Sequence, residues 1–90
     1  MSYELSIHVQ QEMQRRGISQ AVVEAVLTSP DQKVPEHGDV VCYQSKIEFD
    51  QKQYLVRVMV NETVTPIKVV TVYRTSKIEK YWRQDDESDL

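Results

Sequence analysis

Three runs in the second half of the chain decide its fold: VVCYQSKIEF at 40–49, QYLVRVMV at 53–60 and PIKVVTVYR at 66–74. All are rich in Val, Ile, Tyr or Phe, the β-branched and aromatic residues that pack well on a pleated surface. The links between them, DQK and NETVT, are short, so consecutive runs are expected to pair antiparallel. Side chains alternate along a strand, which sends Tyr54, Val56, Val58 and Val60 to one face and Leu55, Arg57 and Met59 to the other. The first set is expected to meet the helices. The second face, apolar around one arginine, reads as a groove or a dimer surface. In the third run Ile67, Val69, Thr71 and Tyr73 alternate with Lys68, Val70, Val72 and Arg74. Tyr73 and Arg74 therefore fall on opposite faces, and only a bulge would bring both to one pocket.

Toward the N-terminus the period changes. Ser6 followed by IHVQQEMQRR and then Gly17 reads as an N-capped helix over about 7–16, closed by a left-handed glycine. Val9 and Met13, four apart, mark its buried side, while His8, Glu12 and Arg15 or Arg16 share a polar one. Ser19 caps a second helix, QAVVEAVLT, and Ser29-Pro30 stops it, because proline disfavours helical geometry in the residue before it. The fold expected is α+β: a two-helix hairpin followed by a three- to four-stranded antiparallel sheet. DQKVPEHGD at 31–39 reads as a loop. TSKIEKYW after the last run reads as a short strand or a helical turn.

Ninety residues fit one domain, taken as 1–84, with 85–90 as an acidic, disordered tail. At this size the buried core is modest, which leaves a homodimer open. The net charge of −3 hides an asymmetry, since DDESDL at the end holds four acidic groups and no basic one. Residues 40–84 carry eight basic and four acidic side chains, so positive charge collects on the sheet, where it can attract phosphate or simply face water. Cys42 is the single cysteine, and the N-terminus lacks the basic start and apolar run of a signal peptide, so a reducing cytoplasm is expected. No stretch has the roughly 18 apolar residues of a membrane span.

Most catalytic signatures are missing. With two glycines and no Cys or His pair at zinc spacing, neither a nucleotide loop nor a metal site is expected, and no cofactor. Cys42 lies inside a strand run, where free cysteine is ordinarily inert packing. His8 can move protons near neutral pH, or merely bond a neighbouring carboxylate. His37 sits in the loop and reads as solvated. Arg57, Lys68, Arg74, Lys77, Lys80 and Arg83, interleaved with Tyr73, Tyr81 and Trp82, offer cations for phosphates and rings for unpaired bases. The bland alternative is lysine protecting sheet edges and Tyr-Trp closing a core.

SIHVQQEMQRRGISQAVVEAVLTSPD, with YLVRVMV and VVTVYRTSKIEKYW, resembles the bacterial domain-of-unknown-function 4258 family over roughly residues 5–82. The most specific parts are His8, Arg16-Gly17-Ile18 and the run from Thr71 to Lys77. Glu12 departs from the arginine usual before Met13. By size and element order the family looks like the RelE and BrnT toxins, metal-independent ribonucleases neutralised by a small antitoxin. That resemblance implies RNA as substrate, Arg57 and Arg74 on the phosphate, and His8 or Tyr73 moving protons. It leaves Arg16, Lys68, Lys77, Lys80 and Trp82 to bind the strand. A shared concavity for cations from three adjacent strands is the geometric expectation. A non-catalytic module that binds protein or nucleic acid is the rival.

Overall fold

The computed structural model describes residues 2–84. In chain order the elements are β1 (Tyr3–Leu5), α1 (Ile7–Arg15), α2 (Gln20–Thr28), β2 (Gln32–Pro35), β3 (Val40–Phe49), β4 (Lys52–Asn61), β5 (Ile67–Thr75) and α3 (Ile78–Tyr81). The strands form one open sheet in the order β1-β5-β4-β3-β2. The α+β class stands, but the sheet has five strands and the described residues hold three helices, not the two helices and three or four strands expected.

The two extra strands are short and lie at the edges. β1 precedes the helices and runs parallel to β5, pairing Tyr3 with Ile67 and Leu5 with Val69. β2 lies inside the segment read as a loop and pairs antiparallel with β3, Gln32 opposite Gln44 and Val34 opposite Cys42. Its polar residues and Pro35 disguise it, yet an edge strand has one row of amides without a partner strand, so a proline at its end does little harm.

Both helices start as the serines dictate. The Ser6 hydroxyl accepts from the Val9 amide and the Ser19 hydroxyl from the Val22 amide, each satisfying an orphan donor. Gly17 turns the chain at a φ of +67°. α1 then packs along β5 and α2 across β3 and β4, so the pair is spread over the sheet and is not a hairpin closed on itself. Val9, Met13, Ile18, Val23, Val26 and Leu27 meet Tyr43, Val56, Val58, Val60, Val69 and Val72 in the main core. Burying such a side chain fully contributes about 1.5–3 kcal/mol against the entropy of ordering it.

Strands β3 and β4 meet through a two-residue turn, Asp50 and Gln51, both at positive φ as a turn matching the sheet's twist requires. Between β4 and β5 the register slips: Val60 faces Val69 and Met59 faces Thr71, leaving Val70 as the extra, exposed residue of a bulge. The regular alternation expected for this strand is thereby broken. Val69 and Val72 both reach the main core, while Tyr73 and Arg74, beyond the bulge, still face opposite ways.

The second face is neither an open groove nor bare. Residues 78–83, α3 and the two residues after it, lie over it. The acidic segment 85–90 falls outside the described residues. No helix among the described residues is long and apolar enough to cross a membrane.

Candidate functional site

Pairing register puts Tyr73, Arg57, Gln44 and Gln32 side by side across β5, β4, β3 and β2 on the second face. Their side chains join laterally. Arg57 Nη1 donates to the Tyr73 hydroxyl at 2.6 Å and Nε to Gln44 Oε1 at 2.9 Å, and Gln44 Nε2 donates to Gln32 Oε1 at 2.8 Å. From the loop after β2, Glu36 Oε1 accepts from Arg57 Nη2 at 2.8 Å. The Tyr81 ring covers the guanidinium at 4.4 Å. Arg57 is only 4% exposed. Burial alone would lower its pKa, but the bonds and charges of Tyr73, Cys42 and Glu36 together raise it. Arg57 is thus a permanently charged pin whose three nitrogens are all committed within the protein.

The same surroundings act on their neighbours. Burial pushes the Cys42 thiol up to about 11, against the pull of Arg57, so at neutral pH it stays protonated packing. Burial also raises Tyr73, again against Arg57, and keeps its phenol protonated. Because Arg57 donates to the phenol oxygen, the Tyr73 hydroxyl retains its own proton to give elsewhere.

A different set of cations converges at the edge of β5. Since β1 pairs only as far as Val69, β5 from residue 70 onward has no strand partner on that side among the described residues. The end of α1 lies there instead, and Arg16 Nη1 donates to the Val72 carbonyl at 2.7 Å. Between the two runs an open cleft of about 770 Å³, lined by Gln14, Arg15, Arg16, Gly17, Thr71, Tyr73 and Arg74. Arg74 lies over the rings of Phe49 and Tyr54 at 4.4 and 4.8 Å, with Nη2 3.5 Å from where a Cβ on Gly17 would stand. Among the described residues no carboxylate pairs with Arg74. Glu12 is the counter-charge at the rim, 3.9 Å from Arg15 and from Arg16 and 3.5 Å from His8 Nε2, and its Oε1 accepts from the Thr71 hydroxyl at 3.0 Å. Among the described residues, one carboxylate against three arginines leaves the cleft electropositive.

The residues singled out from sequence therefore divide. Arg57 and Tyr73 are together. Arg16, Arg74 and Tyr73 share the cleft, with His8 exposed one helical turn before Glu12 on the same face of α1. The expected convergence of cations from three adjacent strands on one concavity does not occur, because Arg74 faces the helices and Arg57 the opposite side. Lys68 sits opposite Glu4 and Asn61 at the start of β5. Lys77 and Lys80 line a shallow hollow at 76–80, Lys80 near the Tyr81 ring, and Trp82 packs under the Lys46 ammonium at 4.0 Å.

Sequence reasoning missed Arg15 and Gly17 as part of the cleft, the Phe49–Tyr54 cradle, and Glu36, Gln44 and Gln32 around Arg57. The RRG triplet at the end of α1 was the available signal for the first two. The glutamines carried none, since their meeting depends on pairing register.

A family model described as "Domain of unknown function (DUF4258)" matches residues 5–74. The chain belongs to this family. No match is found among curated proteins or among solved structures, so membership in DUF4258 brings no activity with it. The match spans β1's last residue through Arg74, and so includes every lining residue of the cleft, Arg57 and Tyr73. Residues 78–83, which cover the second face of this DUF4258 domain, lie beyond it.

Proposed function

We propose that this domain binds the RNA backbone in the α1–β5 cleft and cleaves it without metal, as an RNA-directed toxin of the RelE and BrnT kind. The observation that carries the reading is the convergence of Arg15, Arg16 and Arg74 around one cleft that Tyr73 also lines. Guanidinium groups match the geometry of phosphate oxygens and stay charged at every physiological pH. Arg74 is the principal anchor, because Phe49, Tyr54 and Gly17 hold its plane and no carboxylate among the described residues pairs with it.

In such a cleavage the ribose 2′-oxygen attacks the adjacent phosphorus and the bond to the 5′-oxygen breaks, leaving a 2′,3′-cyclic phosphate. His8, held toward Glu12, takes the 2′-hydroxyl proton; Tyr73 gives its proton to the departing 5′-oxygen. The arginines stabilise charge that builds on the phosphoryl oxygens. Arg57 moves from the role of phosphate ligand to that of support for Tyr73. Lys77 and Lys80, with Lys68 and Trp82, extend the surface to neighbouring nucleotides. A small protein that covers this cleft would be the neutralising partner.

The test mixes the full chain with labelled single-stranded and hairpin RNA in excess chelator over a salt series, and follows anisotropy and scission together. Expected are binding that weakens steeply with salt and products ending in cyclic phosphate. Arg74→Ala should abolish binding at moderate salt, and Tyr73→Phe should slow scission by about 10²–10⁴-fold with binding retained. Intact RNA under saturating binding favours a second reading, a nucleic-acid-binding module without catalysis. A specific observation supports that alternative: Arg57 is fully spent on Glu36, Gln44 and Tyr73, and Arg16 donates to a backbone carbonyl. No binding at low salt ends both.

A further inference from the structure

We propose that residues 78–83 form a strap that controls the cleft from the opposite face of the sheet, by holding Arg57 and through it the Tyr73 hydroxyl. The proposal rests on the reading of Tyr73 as proton donor in the cleft. It adds a regulating element that this reading does not require.

Tyr73 belongs to two places at once. It is among the residues that line the cleft at the edge of β5, while its hydroxyl accepts from Arg57 on the second face. Its ring also meets Tyr81 of the strap edge to face, with centroids 6.3 Å apart. From the strap a continuous relay leads back to it. Arg83 N donates to Gln32 Oε1 and Arg83 O accepts from Gln32 Nε2, at 3.0 and 2.8 Å. Gln44 Nε2 donates to Gln32 Oε1 and to the Tyr81 carbonyl, at 2.8 and 3.2 Å. Gln44 Oε1 accepts from Arg57 Nε, and Arg57 Nη1 donates to Tyr73.

Each amide in this relay is shared between the strap and the sheet. Lifting the strap removes partners from Gln32 and Gln44 together and lets water compete for the whole row rather than for one bond. The strap itself is weakly built. α3 is four residues long, has no side-chain cap and buries no residue. Such a segment opens by local unfolding far more readily than the helices. Two discrete states follow. With the strap seated, Arg57 is held in plane beneath Tyr81 and fixes the Tyr73 oxygen, so the phenol keeps one position beside the cleft. With the strap lifted, Arg57 is freed toward Glu36 and Tyr73 loses its support. The seated state is the active one, and Arg57 is a positioning residue.

Trp82, the single tryptophan, reports on the strap directly. The experiment uses the full chain and compares Gln32→Ala, Tyr73→Phe and their double variant by Trp82 fluorescence and by hydrogen exchange at 78–83, alongside RNA binding and scission. Gln32→Glu, which keeps one acceptor for Arg83, replaces Gln32→Ala if the latter does not fold. Tyr73→Phe should speed exchange in the strap about five- to tenfold although it lies at the far end of the relay, and the double variant should fall short of additivity. Gln32→Ala should slow scission at least about tenfold while binding stays within about twofold. Strap exchange unmoved by Tyr73→Phe, or scission unmoved by Gln32→Ala, overturns the proposal. A wild-type chain that leaves RNA intact removes the ribonuclease reading alone. Exchange and additivity then decide the coupling by themselves.

Discussion

On its helix side the sheet buries Val56, Val58, Val60, Val69 and Val72 completely, against Val23, Val26 and Leu27. On the other side the same strands bury Gln32, Gln44 and Arg57, closed by a strap with no buried residue in its helix. The first layer is stabilised by area removed from water, which needs shape but no particular partner. The second is stabilised by directional bonds whose loss leaves charged or polar atoms stranded. A dry layer tolerates changes that keep volume. A hydrogen-bonded row does not, and it transmits a change at one end to the other. Function that needs switching belongs on the second kind of surface.

The sharpest way to break this contrast is to damage each side in turn. Leu27→Ala, in the dry layer, should lower unfolding free energy by about 2–5 kcal/mol, seen as a lower denaturant midpoint with the slope unchanged. Gln44→Leu keeps volume on the polar side but strands Arg57 Nε. It should cost about 1–3 kcal/mol, and unlike Leu27→Ala it should alter Trp82 emission under native conditions. If Gln44→Leu is neutral, the row is ordinary packing.

Smaller effects test the edges of the two layers. Ser19→Ala removes the hydroxyl that accepts from Val22 at the start of α2 and should cost about 1 kcal/mol by thermal melting, with Trp82 emission unmoved. Glu62 lies where the helix side meets the sheet's far end, accepting from the Tyr43 hydroxyl and pairing with Lys33 Nζ at 3.1 Å. Those bonds hold its carboxyl below the usual 4.5, Tyr43 first and then Lys33. A group depressed on folding stabilises above its unfolded pKa, and the gain is lost as pH falls through the folded value. Wild type should therefore melt slightly above Glu62→Gln near neutral pH. The two should converge once acid protonates the folded carboxyl, in melting curves over a pH series.

The helices and the three long strands were legible because each announces itself locally. Serine caps, Gly17 and Pro30 punctuate the helices, and β4 alternates over eight residues. The edge strands were not. Tyr3–Leu5 carries only three residues, and Gln32–Pro35 looks polar because its buried positions hold a glutamine and a valine. Of the site, Arg16, Arg57, Tyr73 and Arg74 were visible as chemically capable residues, and their grouping was misjudged. Arg57 was read as a phosphate ligand from the family resemblance, and the partner that holds it lies far off in sequence: Glu36 reaches it from 21 positions away.

Local order in the chain by itself determined which segments become helix or long strand, and which sides of them are apolar, because caps, turns and periodicity act within a few residues. The five-stranded order, the bulge at Val70 and the placement of Tyr73 between a cleft and a buried arginine were decided only by the tertiary structure. Those features depend on pairing register and on edges left open by short strands, and both are set by residues far apart in sequence competing for the same surfaces.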